Sequence, residues 1–136
     1  MSKFETKQIS TNPDAVAPDG SDVRILLGLE GGSMAHFELG PGKTSRAVTH
    51  RTVQEIWFFI SGQGEMWRRQ DGASETVEVY PGVCLTIPVG THFQFRCTGQ
   101  DALEAIGVTM PPWPGEAEAM LVDGPWQPTV EAGAKE

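Results

Sequence analysis

PGKTSRAVTHRTVQEIWFFISGQG, running from Pro41 to Gly64, decides how this chain is read. It opens on Pro41-Gly42 and closes on Ser61-Gly62-Gln63-Gly64. Both are turn sequences, because proline presets one backbone angle and glycine takes the positive φ that tight turns need. Between them lie two runs with the side-chain period of a strand, in which alternate residues share a face. That period sets Glu55, Trp57 and Phe59 on one face of the run Glu55 to Ser61, and Arg46, Val48 and His50 on one face of Thr44 to His50. The same pattern extends outward in both directions. Val23 to Leu27, Ser33 to Leu39, Gly64 to Arg69, Thr76 to Tyr80, Val83 to Ile87, Phe93 to Cys97 and Leu103 to Thr109 complete nine expected strands. Their spacing of about ten residues, punctuated by Gly40-Pro41-Gly42, Asp71-Gly72 and Tyr80-Pro81-Gly82, predicts an all-β sandwich or barrel. Closure would remove most free sheet edges.

Residues 21–110 carry these strands and form the expected barrel. Residues 1–20, with Pro13, Pro18 and Asp19-Gly20, read as an N-terminal strap. Residues 111–136 form a tail whose segment PPWPGEAEAMLVDGPWQP places Trp113 and Trp126 among five prolines, so it is extended and apolar and should pack on the barrel or on a neighbouring subunit. A homodimer follows as an expectation, since an uncovered strap of this composition exposes a large apolar patch. Glu116 to Leu121 can form one short helical turn.

The 136 residues suffice for one compact domain with a single core. A formal net charge of −8, with only ten scattered Lys and Arg residues, excludes a nucleic-acid partner, which needs a basic patch. Cys84 and Cys97 are too few for a disulfide framework and lack the basic surroundings of a reactive thiolate. The start MSKFETKQIS carries no apolar stretch of the secretory kind, and no window reaches the roughly 20 apolar residues of a membrane span. A cytoplasmic protein with reduced thiols and no membrane partner is expected. Gly62-Gln63-Gly64 reads as a hairpin turn, because a phosphate loop requires a following lysine and helix.

Pro41 to Gly64 resembles the first motif of the cupin superfamily: Gly, five residues, His, one residue, His, four residues, Glu, six residues, Gly. Gly42, His50, Glu55 and Gly62 fall in register, and Val48 stands at the first histidine. PGVCLTIPVGTHFQFRC, Pro81 to Cys97, resembles the second motif: Gly, five residues, Pro, one residue, Gly, two residues, His, three residues, Asn. Gly82, Pro88 and Gly90 match, while Phe93 stands at the histidine and Cys97 at the asparagine. The resemblance implies a cupin double-stranded β-helix, a jelly-roll barrel, with N- and C-terminal straps. Cupins of this size commonly pair, which also implies a homodimer. The family holds a divalent transition metal on the two histidines and glutamate of the first motif and the histidine of the second. This chain keeps His50 and Glu55 and has Val48 and Phe93 at the other two positions, so no metal cofactor is favoured. His92 lies one residue early, and the alternation of a strand turns it outward unless a bulge at Gly90-Thr91 restores it.

If the faces bearing Glu55 and His50 point inward, the cavity contains Arg46, His50, Glu55, Trp57, Phe59 and Phe93. That mixture suits a small organic acid, sugar or ring compound. Three functions follow. The first is a small-molecule pocket or metal-independent enzyme with His50 and Glu55 as its titratable, candidate catalytic pair, since a carboxylate beside an imidazole can relay protons. The second is a metal-dependent isomerase or dioxygenase with the reduced set His50, Glu55 and His92. The third is a sensing or structural module without turnover. The fold itself names a scaffold and not a reaction. Against these stand plainer readings: His50 and Glu55 as a bonded pair in the wall, Trp57 and Phe59 as core, Arg46 as a solvated edge residue, and His36 as a surface or interface histidine opposite the apolar face of Ala35, Phe37 and Leu39.

Overall fold

The protein, described by a computed structural model over residues 3–131, is built from eleven strands. They are β1 Ala15–Val16, β2 Asp22–Leu29, β3 Gly32–Leu39, β4 Val48–His50, β5 Gln54–Ser61, β6 Gly64–Gln70, β7 Ala73–Val79, β8 Cys84–Ile87, β9 His92–Cys97, β10 Leu103–Met110 and β11 Ala119–Leu121. All nine runs read from the sequence contain a strand. Two antiparallel sheets form, one in the order β1-β2-β3-β10-β5-β8 and the other in the order β11-β4-β9-β6-β7. The late strands β10 and β9 insert between early ones, which is the connectivity of a jelly roll. Among the described residues, no helix is long and apolar enough to cross a membrane.

Alternation does the work of building the core. Along β5, Glu55, Trp57 and Phe59 are buried while Ile56, Phe58 and Ile60 are exposed. The inner faces of both sheets meet over Leu39, Phe59, Met66, Val79, Phe95 and Leu103. The hairpin from β6 to β7 turns on Asp71-Gly72 with φ of 51° and 81°, the two positive angles of a type I′ turn. On β10 the inward position opposite Ala35 and Trp57 is Gly107. There Phe37 and Trp57 stack with ring centroids 4.6 Å apart and planes 10° from parallel. A Cβ at Gly107 would approach the Phe37 ring to 2.7 Å, so the stack needs the glycine.

Three expectations change, and the tail takes one of the two places expected for it. The run Thr44 to His50 is a strand only over Val48–His50, because Thr44 makes an isolated bridge and Ser45 to Ala47 carry no strand pairing. Glu116 to Leu121 is a single 3-10 turn, Glu116–Glu118, followed by β11. β11 pairs with β4, Ala119 opposite His50, so the tail extends a sheet of its own barrel. Further along, Gln94 donates to the carbonyl of Trp126 at 2.9 Å, and Arg96 stacks 4.1 Å over the Trp126 ring. Gln94 is therefore buried although it points away from the core. His36, expected at the surface or an interface, is 3 % exposed. It lies opposite Arg24 on β2, whose guanidinium covers it while holding the strap through the carbonyls of Ser10 and Thr11.

Candidate functional site

A cavity of about 380 Å³ opens between the sheets at the end of the barrel covered by strap and tail. β5 supplies Glu55 and Trp57, β4 supplies Val48 and His50, β9 supplies Phe93, β10 supplies Thr109 and β3 supplies Phe37. Ala17 and Asp19 of the strap and Trp113 of the tail complete the rim. Each strand residue arrives by the same rule: it shares the inward parity of its strand with the core residues next to it.

Glu55 is 3 % exposed and anchored on both oxygens. Trp57 Nε1 donates to Oε1 at 3.0 Å and Thr109 Oγ1 donates to Oε2 at 2.5 Å. Burial nevertheless raises its carboxyl to about 7, against the opposing pull of these two bonds. His50, 6 % exposed, packs edge-on against Phe93 and Trp113, with centroids 5.3 and 5.2 Å away. Burial lowers it to about 4, opposed by the charge of Glu118. Its Nδ1 lies 3.9 Å from Glu55 Oε1 and has no hydrogen-bond partner within the protein. The pair thus sits close together, unbonded, with burial pushing both groups toward their neutral forms. Asp19, also buried, accepts from the Ser21 amide at 2.9 Å and hydroxyl at 2.6 Å, and burial still holds its carboxyl above its ordinary value.

Of the residues expected in the cavity, His50, Glu55, Trp57 and Phe93 line it. Phe59 shares the inward face of β5 but lies in the packed core, in tilted contact with Trp57 at 6.0 Å. Arg46 does not line the cavity, because the segment before β4 is not a strand and the parity linking Arg46 to His50 fails there. His92 pairs with Thr49 and Arg69 on the face opposite Phe93, and no bulge turns it inward. Thr109, Asp19, Phe37 and Trp113 join the site without having been singled out. Thr109 was within reach of the same alternation that buries Leu103 and Ala105. Asp19 and Trp113 arrive through tertiary packing that no local period encodes. Glu118 buttresses the site from the tail, accepting from the Thr52 amide and hydroxyl, both at 2.6 Å, and from the Val53 amide at 2.9 Å. Burial raises its carboxyl, but these bonds and nearby His50 outweigh that and leave it below its ordinary value.

The donor set does not fit the four-ligand metal of the cupin motifs. Val48 and Phe93 fill two ligand positions with carbon and are each 1 % exposed. His92 faces away, and both Glu55 oxygens already accept internal bonds. A second cluster, His36, Glu38 and Glu104, brings three donor atoms within 4.8 Å of one another on the outer face of the six-stranded sheet. It already contains a cation. Arg24 bonds Glu38 at 2.8 Å and approaches His36 Nδ1 to 3.4 Å, while His36 Nε2 meets Glu104 at 2.7 Å. This geometry is an ion network that fastens the strap.

Among solved structures, the chain is similar to oxalate decarboxylase from Bacillus subtilis, with 16 % identity and a TM-score of 0.68, covering 80 % of this chain and 29 % of that one. It is likewise similar to a formate complex of oxalate decarboxylase from Lactobacillus farciminis, at 17 % identity and TM-score 0.67, over 76 % of this chain and 32 % of that one. The coconut allergen cocosin matches at 17 % identity and TM-score 0.65, over 76 % of this chain and 30 % of that one. The chain spans less than a third of the length of each, and identities this low speak to the fold alone. No curated protein matches. A family model described as a cupin domain covers residues 35–109, more than half of the chain and both motif-bearing stretches. The chain belongs to the cupin domain family.

Proposed function

We propose that the protein binds a small organic molecule in the barrel cavity, without a metal, using His50 and Glu55 as its polar pair and Trp57 and Phe93 as its walls. The observation that carries this reading is the unbonded proximity of two buried titratable groups: Nδ1 of His50 has no partner, yet lies 3.9 Å from Glu55. Polar groups buried for structural ends normally satisfy one another, and a polar core residue costs more than an apolar one. A site that leaves one unsatisfied inside a cavity suits a ligand that completes it. The pair can also move a proton, Glu55 as acid and neutral His50 as base, so a metal-independent reaction is within its chemistry. Binding with turnover makes it an enzyme, and binding without turnover makes it a sensing module. Titration of a small-molecule panel, followed by tryptophan fluorescence and repeated on His50→Leu and Glu55→Gln, tests the reading. Ligands whose affinity is indifferent to both His50 and Glu55 would dismiss it.

The homodimer also stands as a proposal, on a different surface from the tail. Met34, Val108 and Ile56 lie side by side across β3, β10 and β5, with Phe58 next to Ile106. Ile56, Phe58 and Ile60 are each more than two fifths exposed, a contiguous apolar patch of the kind that pairs subunits.

A further inference from the structure

We infer that the ligand is an uncharged ring compound carrying a single hydroxyl or carbonyl oxygen, and that this oxygen sits between His50 Nδ1 and Glu55 Oε1. The inference rests on the binding reading above and narrows it to one chemical class. Three features of the cavity carry it.

The first is shape. At about 380 Å³ the cavity is at the small end of ligand pockets, so it takes one or two rings. Phe37 and Trp57 line it as a stacked pair, while Phe93 and Trp113 stand edge-on at the sides of His50. Flat, rigid aromatic walls favour a ring over a flexible chain.

The second is charge. Among the described residues lining the cavity there is no lysine or arginine, and two of the lining residues, Asp19 and Glu55, are acids. A carboxylate or phosphate would be buried beside those acids with no counter-charge. An ammonium needs ionised partners, and burial pushes the carboxyls of both Asp19 and Glu55 above their ordinary values, toward the neutral form. The site is therefore built for a neutral molecule.

The third is the count of polar partners. A sugar buries a hydroxyl on nearly every carbon and needs a partner for each. This cavity offers Nδ1 of His50, buried without a partner, with Nε1 of Trp113 the other unpartnered nitrogen on its rim. The 3.9 Å between Nδ1 and Glu55 Oε1 is too long for a direct hydrogen bond, yet one oxygen can bond both. A hydroxyl donates to one and accepts from the other, and a carbonyl accepts from both.

Calorimetric titration of the full chain with toluene, benzyl alcohol, benzoate, benzylamine and glucose tests the assignment, with tryptophan fluorescence as a second signal. Benzyl alcohol is expected to bind about tenfold more tightly than toluene, the value of one well-placed hydrogen bond, and more tightly than the two charged analogues and glucose. His50→Leu is expected to erase the preference for benzyl alcohol over toluene while leaving toluene binding in place. His50→Phe, which keeps a ring packed against Phe93 and Trp113 and removes the nitrogen, supplies the same comparison if His50→Leu fails to fold. Tightest binding of benzoate, benzylamine or glucose overturns the ligand class and leaves the binding reading standing. Equal affinity for benzyl alcohol and toluene overturns the bridging oxygen. Failure of every compound at millimolar concentration overturns both the ligand class and the binding reading.

Discussion

Nδ1 of His50 and Oε1 of Glu55 lie 3.9 Å apart, and neither group bonds the other. Glu55 is fixed by Trp57 and Thr109, and His50 by the rings of Phe93 and Trp113, so each is held in place independently. Two residues that meet only in a cavity can be changed singly without leaving the other an abandoned partner.

Near pH 4.5, where Glu55 is protonated in the fold, Glu55→Gln will leave stability within about 1 kcal/mol of the parent, because the amide can still accept from Trp57 and donate to Thr109. Ligand affinity will fall far more than stability. Thermal denaturation beside ligand titration checks this, and a large drop in melting temperature with unchanged affinity would mark the residue as structural.

The pair also predicts opposite pH signatures. Glu55 titrates near 7 in the fold against an ordinary 4.5, so the folded chain holds the extra proton and stability is lost as pH rises through that window. His50 titrates near 4 against an ordinary 6.5, so its contribution is present above 6.5 and lost as pH falls toward 4. The two slopes oppose each other between 4.5 and 6.5. Relative to the parent, Glu55→Gln will make stability rise more steeply with pH there, and His50→Gln will make it fall. Each change is on the order of 2 kcal/mol across the window. Urea denaturation at a series of pH values reads both, and parallel profiles for parent and variants would contradict the assigned shifts.

Gly107→Ala will destabilise the fold by about 1–3 kcal/mol, the usual cost of overpacking, because its methyl group must push Phe37 away from Trp57. The intrinsic fluorescence of Trp57 should change with it. An unperturbed spectrum and melting temperature would show that the stack yields without cost.

Dialysis against a chelator will leave the melting temperature unchanged, and metal analysis of untagged protein will find well under one equivalent per chain. Val48 and Phe93 supply no donor atoms. Near-stoichiometric metal that disappears in His50→Ala would restore the metalloenzyme reading.

Light scattering is expected to give the dimer mass at micromolar concentration, and Phe58→Glu, on the outer face of β5, to give the monomer mass. A monomeric parent protein would remove the dimer, and a dimeric Phe58→Glu would move its interface elsewhere.

Most of the fold was legible in the sequence because turns and alternation are local properties. Gly and Pro mark where the chain reverses, and a period of two decides which residues face inward. That period put Glu55 and Trp57 on one face, while the resemblance to the cupin motifs implied that this face and Phe93 turn inward and His92 outward. The rule failed for Arg46 because it presumed a strand from Thr44 onward, whereas Ser45 to Ala47 bond individually to other segments: Ser45 to Phe95, Arg46 to Asp19 and Ala47 to Val122. Once pairing stops, parity carries no information across the gap.

Only the tertiary structure decided what closes the cavity and what surrounds its polar pair. Asp19, Trp113 and Glu118 come from segments that are remote in sequence, and they reach the site because strap and tail add β1 and β11 to the two sheets. The same packing buried His36 under Arg24 and Gln94 under Trp126, both on faces that alternation assigns to solvent. Desolvation depends on every chain segment that excludes water from a group, so the shifted titration of His50 and Glu55 belongs to the assembled barrel and not to any stretch of its sequence.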